Sequence, residues 1–117
     1  RNEMGKFYAL ADIFVLPSRR ETWGMAVNEA LCFALPVVVS DQVGAGVDLV
    51  IPGENGHVFP AGDVAALSDQ LSNLIGLPSQ VRDEMGEISR KLITEWSGRA
   101  LVDPLDDFLD SIYDGRR

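Results

Sequence analysis

The apolar positions of this 117-residue chain change rhythm several times. From Met4 to Ala11, Met4, Phe7, Tyr8 and Leu10 recur at helical spacing with alanines in the gaps, which reads as the end of a helix. Ile13-Phe14-Val15-Leu16 is instead a continuous apolar run closed by Pro17-Ser18, and Val37-Val38-Val39 is a second one closed by Ser40-Asp41. Runs of this kind suit strands of a parallel sheet covered by helices on both faces. Between them lie a polar loop, Arg19 to Trp23, and a helix-length stretch from Gly24 to Ala34. Strand, loop, helix and strand in that order predict a βαβ unit.

The second half is more helical. Gly44-Ala45-Gly46 leads into a helical turn over Val47 to Val50, then into the dense turn cluster Ile51-Pro52-Gly53-Glu54-Asn55-Gly56. His57-Val58-Phe59 reads as a short edge strand. Asp63 is placed to cap a helix whose apolar stripe is Leu67, Leu71, Leu74 and Ile75 and which ends at Gly76. Pro78-Ser79 opens a second helix with Val81, Met85, Ile88 and Leu92 inward. Ser97 is predicted to start a third, broken and restarted at Asp103-Pro104, with Leu105, Phe108, Leu109 and Ile112 continuing the stripe. The expected class is α/β: three layers, with a short parallel sheet and C-terminal helices. No internal repeat, low-complexity tract or linker divides the chain.

Composition narrows the function. Hydrophobic residues at 46% and charged residues at 24% are ordinary globular usage, which excludes a disordered tail. The single cysteine, Cys32, excludes a disulfide scaffold, and with no Cys or His spaced for metal it reads as a buried thiol. No apolar run reaches the roughly 18 residues of a membrane span, and Arg1 to Lys6 lacks the core of a signal peptide, so the expected compartment is the cytosol. A net charge of −8 argues against binding nucleic acid or an anionic membrane through bulk charge. Residues 63 to 117 carry 11 acids against 6 bases, an excess that reads as the solvated face of the helical half. The chain opens on a charged amphipathic stretch with no initiator methionine, as a segment of something longer would.

The chemistry concentrates in Pro17 to Ala30, at the carboxyl end of the first strand, where open α/β sheets place their ligands. Glu21 falls in the loop and Glu29 one turn into the following helix. Between them stand the unpaired amides of the helix start, which together with the helix dipole favour an anion such as a diphosphate, and Gly24 lets that anion approach the backbone. Two carboxylates flanking an anion site make sense if each accepts hydrogen bonds from a vicinal diol. A ligand built as sugar, diphosphate and ribose meets all three demands. It also needs a cation, and Arg19 and Arg20 are the basic residues nearby in sequence. The alternatives stay open at this level: Glu21 as a solvated loop acid, and Glu29 as half of a structural ion pair.

The framework as a whole resembles a known family. Ala11-Asp12-Ile13-Phe14-Val15-Leu16-Pro17-Ser18, the Glu21 to Glu29 motif, and Ala30-Leu31-Cys32-Phe33-Ala34-Leu35-Pro36-Val37-Val38-Val39-Ser40-Asp41 resemble the second Rossmann-like domain of retaining glycosyltransferases of the GT-B fold, glycosyltransferase family 4. Gly53 to Pro60, Gly62-Asp63 and Glu95-Trp96-Ser97 extend the similarity over essentially the whole chain. The resemblance implies that the chain is the C-terminal part of a nucleotide-sugar-binding domain. The first half of that domain, with its base-binding loop and diphosphate-neutralising Arg and Lys, and the acceptor domain would lie before residue 1.

The implied roles follow position by position. Glu29 would bind the ribose hydroxyls of a nucleotide-diphosphate sugar, and Glu21, the catalytic candidate, would bind the transferred hexose near its reacting carbon and stabilise positive charge developing there. Backbone amides around Trp23, Gly24, Met25 and Ala26 would hold sugar and diphosphate. The implied reaction moves a hexose to a hydroxyl acceptor, a glycan, lipid or polysaccharide precursor, with retention and with neither metal nor cofactor. Membrane association, at the inner face, would come only through the missing parts.

Departures from the family pattern are mild. Asp48 shortens a glutamate by one methylene, and Asn28 is polar where an aliphatic residue is frequent. His57 reads as structural or solvated rather than as a general base. Trp23 either packs on the donor sugar or anchors the loop, and Trp96 reads as packing. Gly44 and Gly46 make an incomplete dinucleotide fingerprint. The competing reading is a non-catalytic Rossmann-like interaction or regulatory module that self-associates through exposed sheet edges. A GT-B type epimerase or phosphorylase is more remote, since no lysine lies in a context for pyridoxal phosphate.

Overall fold

The computed structural model describes residues 10–19 and 25–98. The predicted helix before Ala11 and the predicted Asp103 restart lie largely or wholly outside them. The order is β1 (Phe14–Leu16), α1 (Met25–Cys32), β2 (Val37–Ser40), α2 (Ala45–Leu49), β3 (Gly56–Phe59), α3 (Val64–Gly76) and α4 (Ser79–Gly98). Among the described residues the strands form one parallel sheet in the order β1-β2-β3. Phe14 stands opposite Val37, and Val38 stands opposite His57. The α/β class, the βαβ unit and the edge strand around His57 are as the apolar runs predict.

Every residue of β2 is fully buried, because helices cover both faces of the central strand. Val37 and Val39 point toward Val27, Ala30 and Leu31 of α1, Leu49 of α2 and Ile93 of α4. Val38 points the other way, toward Leu74 of α3, Phe59 and Met85. Burying each such aliphatic side chain contributes about 1.5–3 kcal/mol, so the valine run is where sheet and helices are held together.

Polar groups fix the packing. Asp63 caps α3 by accepting from the Ala66 amide at 2.9 Å, as its position predicts. At the other end of α3 the Arg82 guanidinium donates to the carbonyls of Leu74, Ile75 and Leu77, the last at 2.6 Å. The fully buried Asn55 accepts from the Ile51 amide at 2.7 Å and donates to the Leu49 carbonyl at 2.9 Å and to the Ser89 hydroxyl. Ser89 in turn donates to the Leu35 carbonyl at 2.7 Å. This chain of bonds ties the β3 turn, α4 and the end of α1 together.

The helical half differs from expectation in three places. Ile75 is 67% exposed while its neighbour Leu74 is fully buried, so the stripe of α3 closes on Leu74. The deepest positions of α4 are Met85, Gly86, Ser89 and Ile93, with Val81, Ile88 and Leu92 only half-buried. The reason is close approach: a Cβ on Gly86 would stand 1.9 Å from the Ala34 carbonyl oxygen, so only glycine lets α4 pack this near the end of α1. Finally, α4 continues through Ser97 to Gly98, so no new helix starts at Ser97. A serine is a preferred cap only where the chain turns, and no proline or turn cluster interrupts Ser79 to Gly98.

Candidate functional site

The carboxyl ends of three parallel strands meet at one edge of the sheet, and the candidate site lies there. β1 delivers Pro17, Ser18 and Arg19. After the loop, α1 begins at Met25 and runs back along the sheet because Val27, Ala30 and Leu31 bury against Val37 and Val39. That burial leaves Met25 61% exposed, with Ala26 and Glu29 half-buried, so the first turn of α1 is accessible to a ligand. Glu29 is the fifth residue of the helix, about 6 Å along the axis at roughly 1.5 Å per residue.

Of the six residues expected to form the site, Met25, Ala26 and Glu29 are brought together on the first turns of α1. Glu21, Trp23 and Gly24 lie outside the described residues, as does Arg20. Arg19 is exposed, and its guanidinium lies beside the loop that precedes α3: a Cβ on Gly62 would be 3.9 Å from Nη2. Gly62 has φ +85°, a backbone conformation that glycine adopts without strain. The nearby depression, of about 200 Å³, is lined by Arg19, Pro17, Phe59, Asp63 and Leu67. Arg19 is thus directed toward the strand-end loops on the α3 side of the sheet.

The remaining candidates separate by burial. Cys32 is buried in the α1 core. His57 is half-buried on β3 and Asp48 is exposed. Trp96 is 40% exposed. Asn28 is buried, and its Oδ1 has no hydrogen-bond partner among the described residues.

Sequence reasoning missed the residues that join the strand ends. The Ser40 hydroxyl, on a fully buried residue, donates to the Ser18 carbonyl. The adjacent Asp41 carboxylate accepts from the Ala61 amide at 3.0 Å, and the Asp41 amide donates to the Phe59 carbonyl at 2.8 Å. The available signal was a small hydroxyl residue and an acid directly after an apolar run, which reads equally well as ordinary turn punctuation.

The α/β fold, with its short parallel three-stranded sheet and helices, is that of a GT-B type domain. The chain belongs to the family described as glycosyl transferases group 1, whose model matches residues 1–92. It is 29% identical over 106 residues to a capsular polysaccharide biosynthesis glycosyltransferase, CapM, of Staphylococcus aureus, which covers 90% of this chain and 27% of the relative. It is 33% identical over 103 residues to the sulfoquinovosyl transferase SQD2 of Arabidopsis thaliana, covering 85% of this chain and 20% of the relative. The solved sucrose-phosphate synthase from Thermosynechococcus elongatus superimposes with a TM-score of 0.75 at 24% identity, over 97% of this chain and 28% of that one. The chain therefore spans about a quarter of the length of these proteins. No described helix is long and apolar enough to cross a membrane.

Proposed function

We propose that these residues form the C-terminal part of the donor-binding domain of a retaining glycosyltransferase of family 4, which transfers a hexose from a nucleotide-diphosphate sugar to a hydroxyl of a glycan, lipid or polysaccharide precursor. The observation that carries this reading is the position of Glu29: a half-buried carboxylate on the first turns of a helix that starts at the carboxyl end of a parallel strand, within a chain matching a glycosyltransferase family. Glu29 accepts hydrogen bonds from the ribose hydroxyls, and backbone amides of Trp23, Gly24, Met25 and Ala26 hold the sugar and diphosphate. Glu21, which precedes α1 in the sequence, binds the sugar hydroxyls and stabilises positive charge as the bond to the diphosphate lengthens. The acceptor hydroxyl attacks from the face the diphosphate leaves, and the configuration is retained. The acceptor domain is supplied by chain outside these 117 residues.

The test is made on the full-length protein with UDP-, GDP- and ADP-sugars. Glu29→Ala is expected to weaken donor binding roughly tenfold to a hundredfold, the scale of hydrogen bonds to a charged group. Glu21→Ala is expected mainly to lower kcat. Native affinity and turnover in both variants would refute the assignment.

A further inference from the structure

We propose that the Asn55-Gly56 peptide is a latent deamidation site: the chain modifies itself there irreversibly once the β3 turn opens, and the buried network around Asn55 keeps the site shut. An asparagine followed by glycine is the labile pairing for this chemistry, because glycine has no side chain to hinder its own nitrogen. Asn28 and Asn73 are followed instead by Glu29 and Leu74, whose side chains crowd the same approach. The fold nevertheless demands both residues of the labile pair. A Cβ on Gly56 would collide with the Val37 carbonyl, so β3 lies this close to β2 only with glycine there. Asn55 accepts from Ile51 and donates to Leu49 and Ser89, a combination that an ionised carboxylate cannot supply. The turn immediately before the pair, Ile51 to Glu54, is exposed, so a local opening brings water to it.

The reaction requires the Gly56 nitrogen to lose its proton to solvent base and attack Asn55 Cγ. The N–Cγ bond forms, the Cγ–Nδ2 bond breaks, and Nδ2 takes a proton from water and leaves as ammonia. Water then opens the cyclic imide at either carbonyl, giving an aspartyl or an isoaspartyl residue at position 55. The folded chain blocks the first step. Asn55 and Gly56 are both buried, which keeps solvent base away. Asn55 Oδ1 is held by the Ile51 amide at 2.7 Å and Nδ2 by the Leu49 carbonyl at 2.9 Å, so the side-chain amide cannot turn to present Cγ. Gly56 is held opposite Val37, its carbonyl accepting from the Gly53 amide at 2.9 Å. Once the reaction has run, the native contacts do not re-form. The isoaspartyl link adds a methylene to the main chain where the Val37 amide donates to the Asn55 carbonyl at 3.0 Å. The aspartyl product turns an acceptor toward the Leu49 carbonyl in place of a donor. Each opening that lasts long enough is thereby recorded as a covalent change.

The experiment incubates the full-length protein at mildly alkaline pH and reads deamidation by mass spectrometry of the tryptic peptide 21–82, which holds Asn28, Asn55 and Asn73. In the urea-unfolded protein Asn55 is expected to convert about tenfold faster than Asn28 or Asn73. In the native protein its conversion is expected to fall at least a hundredfold below the unfolded rate, as for a group reached only through opening. Ser89→Ala removes a hydroxyl to which Nδ2 donates and is expected to raise the native rate at Asn55 about tenfold, with Asn28 and Asn73 unchanged. If that variant does not fold, the native protein in urea below its unfolding midpoint takes its place, and loss of Asn55 rises with urea. Asn55→Asp, standing for the aspartyl product, is expected to unfold at a lower urea midpoint than the native protein. Three results overturn the proposal: conversion at Asn55 no faster than at Asn73 in the unfolded chain, equal rates at Asn55 in folded and unfolded protein, or a native midpoint in Asn55→Asp. A rate at Asn55 that neither Ser89→Ala nor urea below the midpoint raises overturns it as well.

Discussion

Ala34 sits at φ +57°, in the left-handed region that disfavours a side chain. The reason is the way α1 stops. The Leu35 amide donates to the Ala30 carbonyl at 3.2 Å and the Ala34 amide to the Leu31 carbonyl at 3.0 Å, the paired bonds of a Schellman motif, which places its C′ residue left-handed. Ala34→Gly is therefore expected to stabilise the protein by about 1 kcal/mol, read as a higher thermal or urea midpoint. Gly86→Ala should do the reverse: its Cβ would meet the Ala34 carbonyl oxygen at 1.9 Å, and the forced shift costs about 1–3 kcal/mol. A midpoint unchanged in either variant would contradict these assignments. Residue-scale legibility was uneven for a physical reason. Glu29 stood out because a carboxylate in an apolar helix must be paired or solvent-facing. Ser40, Gly86 and Ala34 act through partners 22, 52 and 52 positions away or through backbone geometry, neither of which composition encodes.

Among the elements, the strands were readable because continuous apolar runs of three or four residues have few other uses in a chain this size. The cap at Asp63 was readable because it is local, and Asp63→Ala is expected to cost about 1 kcal/mol. The Arg82 contacts at the far end of α3 were not, since they depend on how α4 packs back against α3. The same applies to Asn55, which the sequence presents as one more turn residue. Its side chain instead makes three bonds in the buried network with Leu49, Ile51 and Ser89. Asn55→Ala orphans these groups and is expected to cost about 2–3 kcal/mol. Asn55→Ala and Ser89→Ala should be less than additive in a double-mutant cycle, because they share a bond. Strict additivity in urea unfolding would show that the network is not coupled.

On the scale of the whole molecule, β1 has a partner on one side only among the described residues, although Ile13 to Leu16 is an apolar run that reads as a buried strand. An open parallel edge of this kind is a template for pairing. Expressed alone, the 117-residue chain is expected to self-associate and to show no glycosyl transfer; a compact monomer by native mass measurement, or measurable transfer, would contradict this. The glycosyl transferases group 1 family, whose model matches residues 1–92, and the α/β fold were legible because the apolar runs, turn clusters and glutamate motif follow one another in a fixed order along the chain. Titration calorimetry of the full-length protein reads out directly whether Glu29 binds the ribose of a nucleotide sugar. The native protein should bind one of UDP-, GDP- or ADP-sugar, and Glu29→Ala should bind that donor at least tenfold more weakly while retaining the native thermal midpoint. Equal affinity in the two proteins would contradict it.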